Sequence, residues 1–197
     1  MSLNQKNNGL TGNYNHIHQD LIEACRSNDR KAQVEIYKLY YKAMYNTALR
    51  IVNDQTEAED IMQEAFLDAF RKIQMYSGVA SFGSWLRKIV INKAINAVNR
   101  RKETLSIEDH EIDIQEEQIK EIPFEVLSYK IDMIRKSIFA LPDKYRIVLS
   151  LFLLEGYDHE EISQILNISY SAARTRYSRA RGKLLKNLKD EKINQIV

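Results

Sequence analysis

Five cations fall within ten residues near the end of this 197-residue chain: Arg174, Arg176, Arg179, Arg181 and Lys183, with no acid from Tyr170 to Lys189. Guanidinium and ammonium groups at that density hold phosphates, and the small hydroxyls between them, Ser171, Thr175 and Ser178, let a helix approach base edges. A second cluster has the opposite sign. From Asp54 to Asp68 there are six acids, Asp54, Glu57, Glu59, Asp60, Glu64 and Asp68, and no Lys or Arg. Such a surface repels nucleic acid and suits a basic protein partner, since charge complementarity sets specificity and encounter rate. The helix macrodipole accounts for acids in a first turn, but not for Glu64 or Asp68. Carboxylate pairs such as Glu57 with Asp60, or Glu160 with Glu161, are the raw material of a metal-dependent nuclease. No His joins them, and Glu160 and Glu161 diverge on a helix.

The formal net charge of +2 conceals a strong segmentation. Residues 21–102 hold 14 Lys/Arg against 9 Asp/Glu, and residues 129–197 hold 13 against 8, so each segment is +5. Between them, residues 103–128 set Lys120 against nine acids, a charge of −8. Two basic units flanking an acidic connector suggest two contacts with one polyanion, although an ordinary acidic surface loop would read the same way. Six glycines and two prolines in a chain rich in helix formers point to an all-α fold of two helical domains joined by an acidic linker. The first 20 residues lack an apolar signal core, and no uncharged apolar run reaches the length of a membrane span, so a cytoplasmic protein with no membrane insertion of its own is expected. Cys25, the single cysteine, reads as a core thiol.

The elements that must position these charges follow from apolar spacing. Val34, Tyr37, Tyr41, Met44, Ala48 and Ile51 recur at steps of three and four and predict one helix of about 20 residues. "TEAEDIMQEAFLDAFRKI" opens with Thr56 and Glu59 at capping-box spacing and turns Ile61, Ala65, Phe66, Ala69 and Ile73 one way. "SFGSWLRKIVINKAINAVNRRK" supplies Phe82, Trp85, Leu86, Ile89, Val90 and Val98, with a cap near Ser84. These three helices and a leading one near residues 18–28 make a bundle. Residues 125–139 and 143–155 predict two further helices around "LPDK", where Pro142 suits a helix start. Asp158 then caps a short helix with Ile162, Ile165 and Leu166 inward, "NIS" turns the chain with Asn167 left-handed, and the arginine-rich helix follows with Ala173, Tyr177, Ala180 and Leu184 buried. Helix, three-residue turn and helix is the helix-turn-helix arrangement. The expected domains are a polar tail over 1–19, a bundle over 20–102, a linker over 103–128, a helix-turn-helix unit over 129–190 and a tail over 191–197.

"LPDKYRIVLSLFLLEGYDHEEISQILNISYSAARTRYSRARGKL" resembles region 4 of the sigma-70 family, in the group of extracytoplasmic-function sigma factors. "DQTEAEDIMQEAFLDAF" is similar to region 2.2 of that group, and "YSGVASFGSWLRKIVINKAINAVNRRK" to its regions 2.3 and 2.4. Residues 20–188 are covered in the expected order. Asn167 stands where the family usually has Gly, a mild change because Asn tolerates the left-handed region. "YSAAR" departs from the family's usual Gly, Thr and Val at the start of the recognition helix, which bears on the target sequence and not on the fold.

The resemblance implies a factor, not an enzyme, that binds core RNA polymerase and directs promoter-specific initiation with no cofactor and no metal. Region 2.2 would dock on the clamp helices of the largest polymerase subunit through Asp60, Gln63 and Glu64, and region 4 would meet the flap. Region 4 would read the −35 duplex with Tyr170, Ser171, Arg174, Thr175, Arg176, Ser178 and Arg179. Regions 2.3 and 2.4 would recognise and help melt the −10 element. There Tyr76 could stack on an extruded base, Ser77, Ser81 and Asn92 could hydrogen-bond it, and Arg87, Lys88, Lys93, Arg100 and Arg101 could track the backbone. Aromatic stacking of about 1–3 kcal/mol per base would offset unstacking. An anti-sigma factor is a further implied partner. Fully extended, the 26-residue linker reaches about 90 Å, enough to join sites two turns of B-DNA, about 70 Å, apart. Two other classes stay open: a dimeric helix-turn-helix regulator, which has no use for residues 54–102, and the metal-dependent nuclease.

Overall fold

The computed structural model describes residues 18–104 and 127–194, and every regular element among them is helical. Helix α1 (Gln19–Arg26) leads into α2 (Arg30–Val52), α3 (Gln55–Arg71), a single 3₁₀ turn at Ile73–Met75, and α4 (Phe82–Thr104). The C-terminal half holds α5 (Leu127–Phe139), α6 (Asp143–Leu149), a π turn at Ser150–Leu154, α7 (His159–Leu166) and α8 (Tyr170–Asn194). Most of the expected linker and of the expected N-terminal tail, and residues 195–197, lie outside the described residues.

Side-chain oxygens set the helix starts by taking the orphan N–H groups of the first turn. The Asp29 carboxylate accepts from Lys31 N at 2.7 Å and Ala32 N at 3.3 Å, opening α2. For α3 the expected Thr56 and Glu59 box does not form. Asp54, two residues earlier, accepts from Glu57 N at 2.8 Å and begins the helix instead. Likewise the cap of α4 is Ser81 rather than Ser84, its hydroxyl accepting from Ser84 N at 3.2 Å. At α7 the expected cap is complete in both directions. Asp158 Oδ1 accepts from Glu161 N at 2.8 Å, and Glu161 Oε2 accepts from Asp158 N at 2.9 Å. Asn167 ends α7 left-handed at φ 51°, and α8 begins three residues on. The helix expected over 143–155 starts on schedule after Pro142 but widens at Ser150, where Glu155 N bonds Ser150 O at 3.1 Å.

Helices α1–α4 pack as a bundle around Ile36, Ala48, Ile51, Ala58, Ala65, Leu86, Val90 and Ala94, with the Cys25 thiol buried among them. Burial pushes that thiol up from its ordinary range, with Asp29 adding to the effect. Val34 does not belong to this core: it is 51% exposed, and Ile36, absent from the expected stripe, is fully buried. Ala32 and Ile36 of α2, which packs against α1, face inward, while Val34 lies at the groove beside α3.

In the C-terminal half, Ile138, Leu141, Tyr145 and Leu149 pack against Ala180 and Leu184 of α8. The two halves are not separate in this structure. Ile147, Val148, Leu151, Ile162 and Ala173 join the same core as the bundle, and α6 lies on α2. Arg146 fixes that contact. Its side chain is 2% exposed, with Nε donating to Arg50 O at 3.2 Å, Nη2 to Ile51 O at 2.8 Å and Nη1 to Leu141 O at 3.3 Å, and Nη2 pairing with Asp143 at 2.8 Å. Burial lowers the guanidinium from its ordinary range and Asp143 opposes that shift.

The backbone at Asn167 generates a stability prediction. Replacing Asn167 by Gly should change stability by less than about 1 kcal/mol, whereas Val, whose β-branch clashes in the left-handed region, should cost about 1–2 kcal/mol. Urea denaturation of both variants checks the pair.

Candidate nucleic-acid and partner surfaces

Helix α8 is seated on an aromatic stack. The Phe152 and His159 rings lie 4.8 Å apart, Tyr177 is 4.4 Å from Phe152 and 5.1 Å from His159, and Tyr170 meets His159 edge-on at 6.4 Å. Such contacts lock the α7–α8 angle. Tyr170, Ser171, Arg174 and Thr175 are exposed on the first two turns, while Arg176, Ser178 and Arg179 are half-buried along the flanks. The Arg174 guanidinium lies 6.0 Å from the Tyr170 ring centroid, and the Ser171 hydroxyl is 3.1 Å from that of Ser169, which caps α8 by accepting from Ala172 N. Of the arc expected opposite the buried stripe, Ser171 and Thr175 are exposed, whereas Ser178 and Arg179 are half-buried, so the open part lies at the N-terminal end of α8.

On α4, Ser84, Lys88, Asn92, Asn96, Asn99 and Arg100 are exposed at helical spacing and form one polar face. Lys88, Asn92 and Arg100 were expected there. Asn96 and Asn99 were not, although their steps of four and seven from Asn92 carried the signal. Three expected cations are committed inside the protein. Lys93 Nζ lies 2.9 Å from Asp68 Oδ2 and 3.2 Å from Glu64 Oε2 on α3. Arg101 Nη2 donates to Val52 O at 2.9 Å and lies 3.2 Å from Glu57 Oε2, and Arg87 Nε is 3.3 Å from Glu155 Oε2.

Tyr76 is a correction. Its side chain is 4% exposed, its hydroxyl donates to Ala80 O at 2.8 Å, and its ring packs edge-on to Phe82 at 5.5 Å. Against the expectation of a stacking platform, the ring is buried here and staples the 76–81 loop to the core. That loop instead presents Ser77 and Val79, the latter 89% exposed, around Gly78 at φ 76°. Ser81 is half-buried and engaged as the α4 cap, 2.9 Å from the Ser84 hydroxyl. Trp85 is half-buried beside Tyr76 and Phe82 at the rim of this cluster.

Asp60, Gln63 and Glu64 lie together on the exposed side of α3, opposite buried Ile61, Ala65 and Phe66. Next to them runs a groove of about 540 Å³ between α2 and α3, lined by Val34, Tyr37, Phe66, Leu67 and Phe70 together with the polar Arg30, Gln33 and Gln63. Leu67 is 55% exposed. The apolar half of this surface was hidden in the sequence because Val34 read as core. Among the described residues no group of three His, Cys, Asp or Glu is placed to hold a metal ion, and Glu57 and Glu161 are engaged by Arg101 and by the α7 cap. No described helix is long and apolar enough to cross a membrane.

A capped helix-turn-helix unit packed on a helical bundle with one acidic and one polar face is the architecture of a DNA-binding transcription protein. Residues 36–104 match the family model of sigma-70 region 2, and residues 131–184 match that of sigma-70 region 4. The ECF RNA polymerase sigma factor SigW of Bacillus subtilis is 31% identical over 178 residues, covering 86% of this chain and 95% of that protein. The RNA polymerase sigma-H factor of Pseudomonas aeruginosa is 30% identical over 172 residues, covering 83% and 89%. The chain belongs to the sigma-70 family, in its extracytoplasmic-function group, whose members direct RNA polymerase to promoters. Among solved structures, a similar fold occurs in the sigma factor RpoE in complex with the anti-sigma factor NepR from Bartonella quintana. It has a TM-score of 0.53 at 19% identity and covers 79% of this chain and 95% of that one. CnrH in complex with the cytosolic domain of CnrY gives a TM-score of 0.52 at 19% identity, covering 87% and 96%.

The Lys93 clamp between α3 and α4 has a defined pH response. Its hydrogen bond holds the Asp68 carboxyl below the ordinary carboxylate range, and the same bond raises Lys93. A depressed carboxyl contributes stability that is present above its unfolded value and is lost as pH falls through its folded value. The pair is partly exposed, so wild type should exceed Asp68→Asn by only about 0.5 kcal/mol at neutral pH. Denaturation across pH should show that difference vanishing only below the ordinary carboxylate range.

Proposed function

We propose that this sigma factor divides its work over three surfaces and acts by binding, without catalysis of its own, in the cytoplasm where polymerase and promoter meet. Asp60, Gln63 and Glu64, with the adjoining apolar groove, dock on basic helices of core RNA polymerase. The α4 face of Lys88, Asn92, Asn96, Asn99 and Arg100, with Ser77 and Val79 of the preceding loop, takes the −10 strand. Arg87 joins it when its partner Glu155 releases it. The first turns of α8, through Tyr170, Ser171, Arg174 and Thr175 with Arg176, Ser178 and Arg179 on the flanks, read the −35 duplex, and region 4 also meets the flap.

One observation carries this reading. A single bundle presents an acidic exposed face on α3 and a polar, amide-rich face on α4, and Lys93 is withdrawn between them. Acids repel phosphates and attract a basic protein, while cations do the reverse and neutral amides hydrogen-bond bases and phosphates, so the two faces serve different partners. A stand-alone helix-turn-helix regulator would leave both faces without a task. The relatives solved with NepR and with CnrY support an anti-sigma partner for this chain as well. We read residues 20–102 and 129–190 as the two functional units and residues 103–128 as the acidic connector.

Exchanging Asp60 and Glu64 for Lys tests the assignment. Glu64 is exposed and its pair with Lys93 contributes little, so helical circular dichroism should not change. Like charges across the interface should cost several kcal/mol, equivalent to a loss of at least about 100-fold in core affinity. Competition for core polymerase measures this. Normal core binding by the double variant would remove α3 from the interface.

A further inference from the structure

Helix α1 carries none of the three proposed contact surfaces, yet its last turn is bonded to the segment that leads into the 77–79 loop. Ser27 N takes Glu23 O at 3.2 Å, Asp29 N takes Ala24 O at 3.0 Å and Asn28 N takes Cys25 O at 3.0 Å. Arg26 O is the carbonyl left over at this helix end, and Gln74 Nε2 of the 3₁₀ turn donates to it at 2.9 Å. A second bond runs the other way. Arg26 Nη2 donates to Tyr76 O at 2.6 Å, from a side chain 27% exposed. Its charged donor makes it the stronger of the two.

Tyr76 is thereby held at each of its groups. Its N–H bonds Ile73 O at 3.2 Å, its carbonyl accepts from Arg26, its ring lies against Phe82 and Trp85, and its hydroxyl donates to Ala80 O at 2.8 Å. The last bond closes a loop of Ser77, Gly78 and Val79, with Gly78 supplying the left-handed turn at φ 76°. A loop this short, fixed at both ends, presents Ser77 and Val79 in one geometry. Its ordering cost falls on folding and does not weaken the binding of a strand.

We propose that Arg26 and the Tyr76 hydroxyl are positioning residues for base selection in the −10 strand. Neither touches a base. Arg26 fixes the carbonyl where the loop departs, and the hydroxyl fixes Ala80, where it returns, so Ser77 and Val79 meet a base at a set spacing. Discrimination depends on that spacing, because a contact free to shift accommodates the wrong base as well as the right one. This inference rests on the reading of the 77–79 loop as a −10 contact.

The test uses the full chain bound to core RNA polymerase, and promoter-fork DNA randomised in the −35 duplex and in the single-stranded −10 segment. Sequencing before and after binding gives the enrichment ratio of best to worst base at each position. Arg26→Gln and Tyr76→Phe should each lower that ratio about tenfold at one −10 position, the order of a single mismatched pair, and leave every −35 ratio unchanged. Arg26→Lys, which keeps a charged donor, should retain most of the ratio. In the DNA-free chain, hydrogen exchange of the 77–80 amides should quicken in Arg26→Gln and Tyr76→Phe while α2–α4 keep their wild-type rates. Tyr76→Phe removes one oxygen and leaves the ring packed, so it decides the matter even where loss of Arg26 loosens α1. Faster loop exchange with unchanged −10 ratios, lower ratios without faster exchange, or an equal loss of affinity for every base would each overturn the positioning role. The underlying reading fails separately: wild-type −10 ratios in the double variant Ser77→Ala, Val79→Ala would show that the loop makes no −10 contact.

Discussion

The C-terminal turn of α2 leaves four carbonyls without intrahelical partners, and two of them are met by one arginine 96 and 95 residues further along the chain. Asn53 N takes Leu49 O at 2.9 Å, Arg146 takes Arg50 O and Ile51 O, and Arg101 takes Val52 O. All four are accounted for, two by the bundle and two by the opposite half. A guanidinium is the group best suited to the place, because its fork of donors matches adjacent carbonyls and its charge faces the negative end of the helix dipole. Asp143, 2.8 Å away, balances that charge. Once α6 is fixed in this way, Ile147, Val148 and Leu151 close the shared core, and the helix-turn-helix unit takes its position from them.

Sign of charge organises the outer surfaces as strictly as packing organises the core. Lys93 is drawn into the acids of α3, Arg87 into Glu155 and Arg101 into the end of α2, so the cations nearest the centre serve the fold. Lys88 and Arg100 on α4 and Arg174 on α8 lie outside this ring at exposed positions. The acidic face of α3 keeps Asp60 and Gln63 away from these cations and sets them beside an apolar groove.

Features decided within a turn or two of chain were legible from the residues. The cap at Asp158, the left-handed Asn167, the buried stripe of α8 and the exposed acids of α3 all follow from local spacing. Features decided by distant neighbours were not. Spacing put Val34 on an apolar stripe, but the way the neighbouring helices pack on α2 determines which edge of that stripe is covered. Tyr76 looked free because it follows the helices, yet the carbonyl of Ala80 and the ring of Phe82 fold the loop over it. Pairing of Arg87 with Glu155 spans 68 residues and two separately folded patterns, and nothing in either pattern announces it.

Arg146 at the α2 terminus and Glu155 tie the C-terminal half to the N-terminal bundle. Spin labels at Lys38→Cys on α2 and Gln164→Cys on α7, both exposed positions, in a Cys25→Ala background, report the distance between the halves by pulsed electron resonance. A single short, narrow distance is expected in the free chain, and one longer by tens of ångströms once core polymerase and promoter DNA are bound. An unchanged short distance in the promoter complex would contradict it.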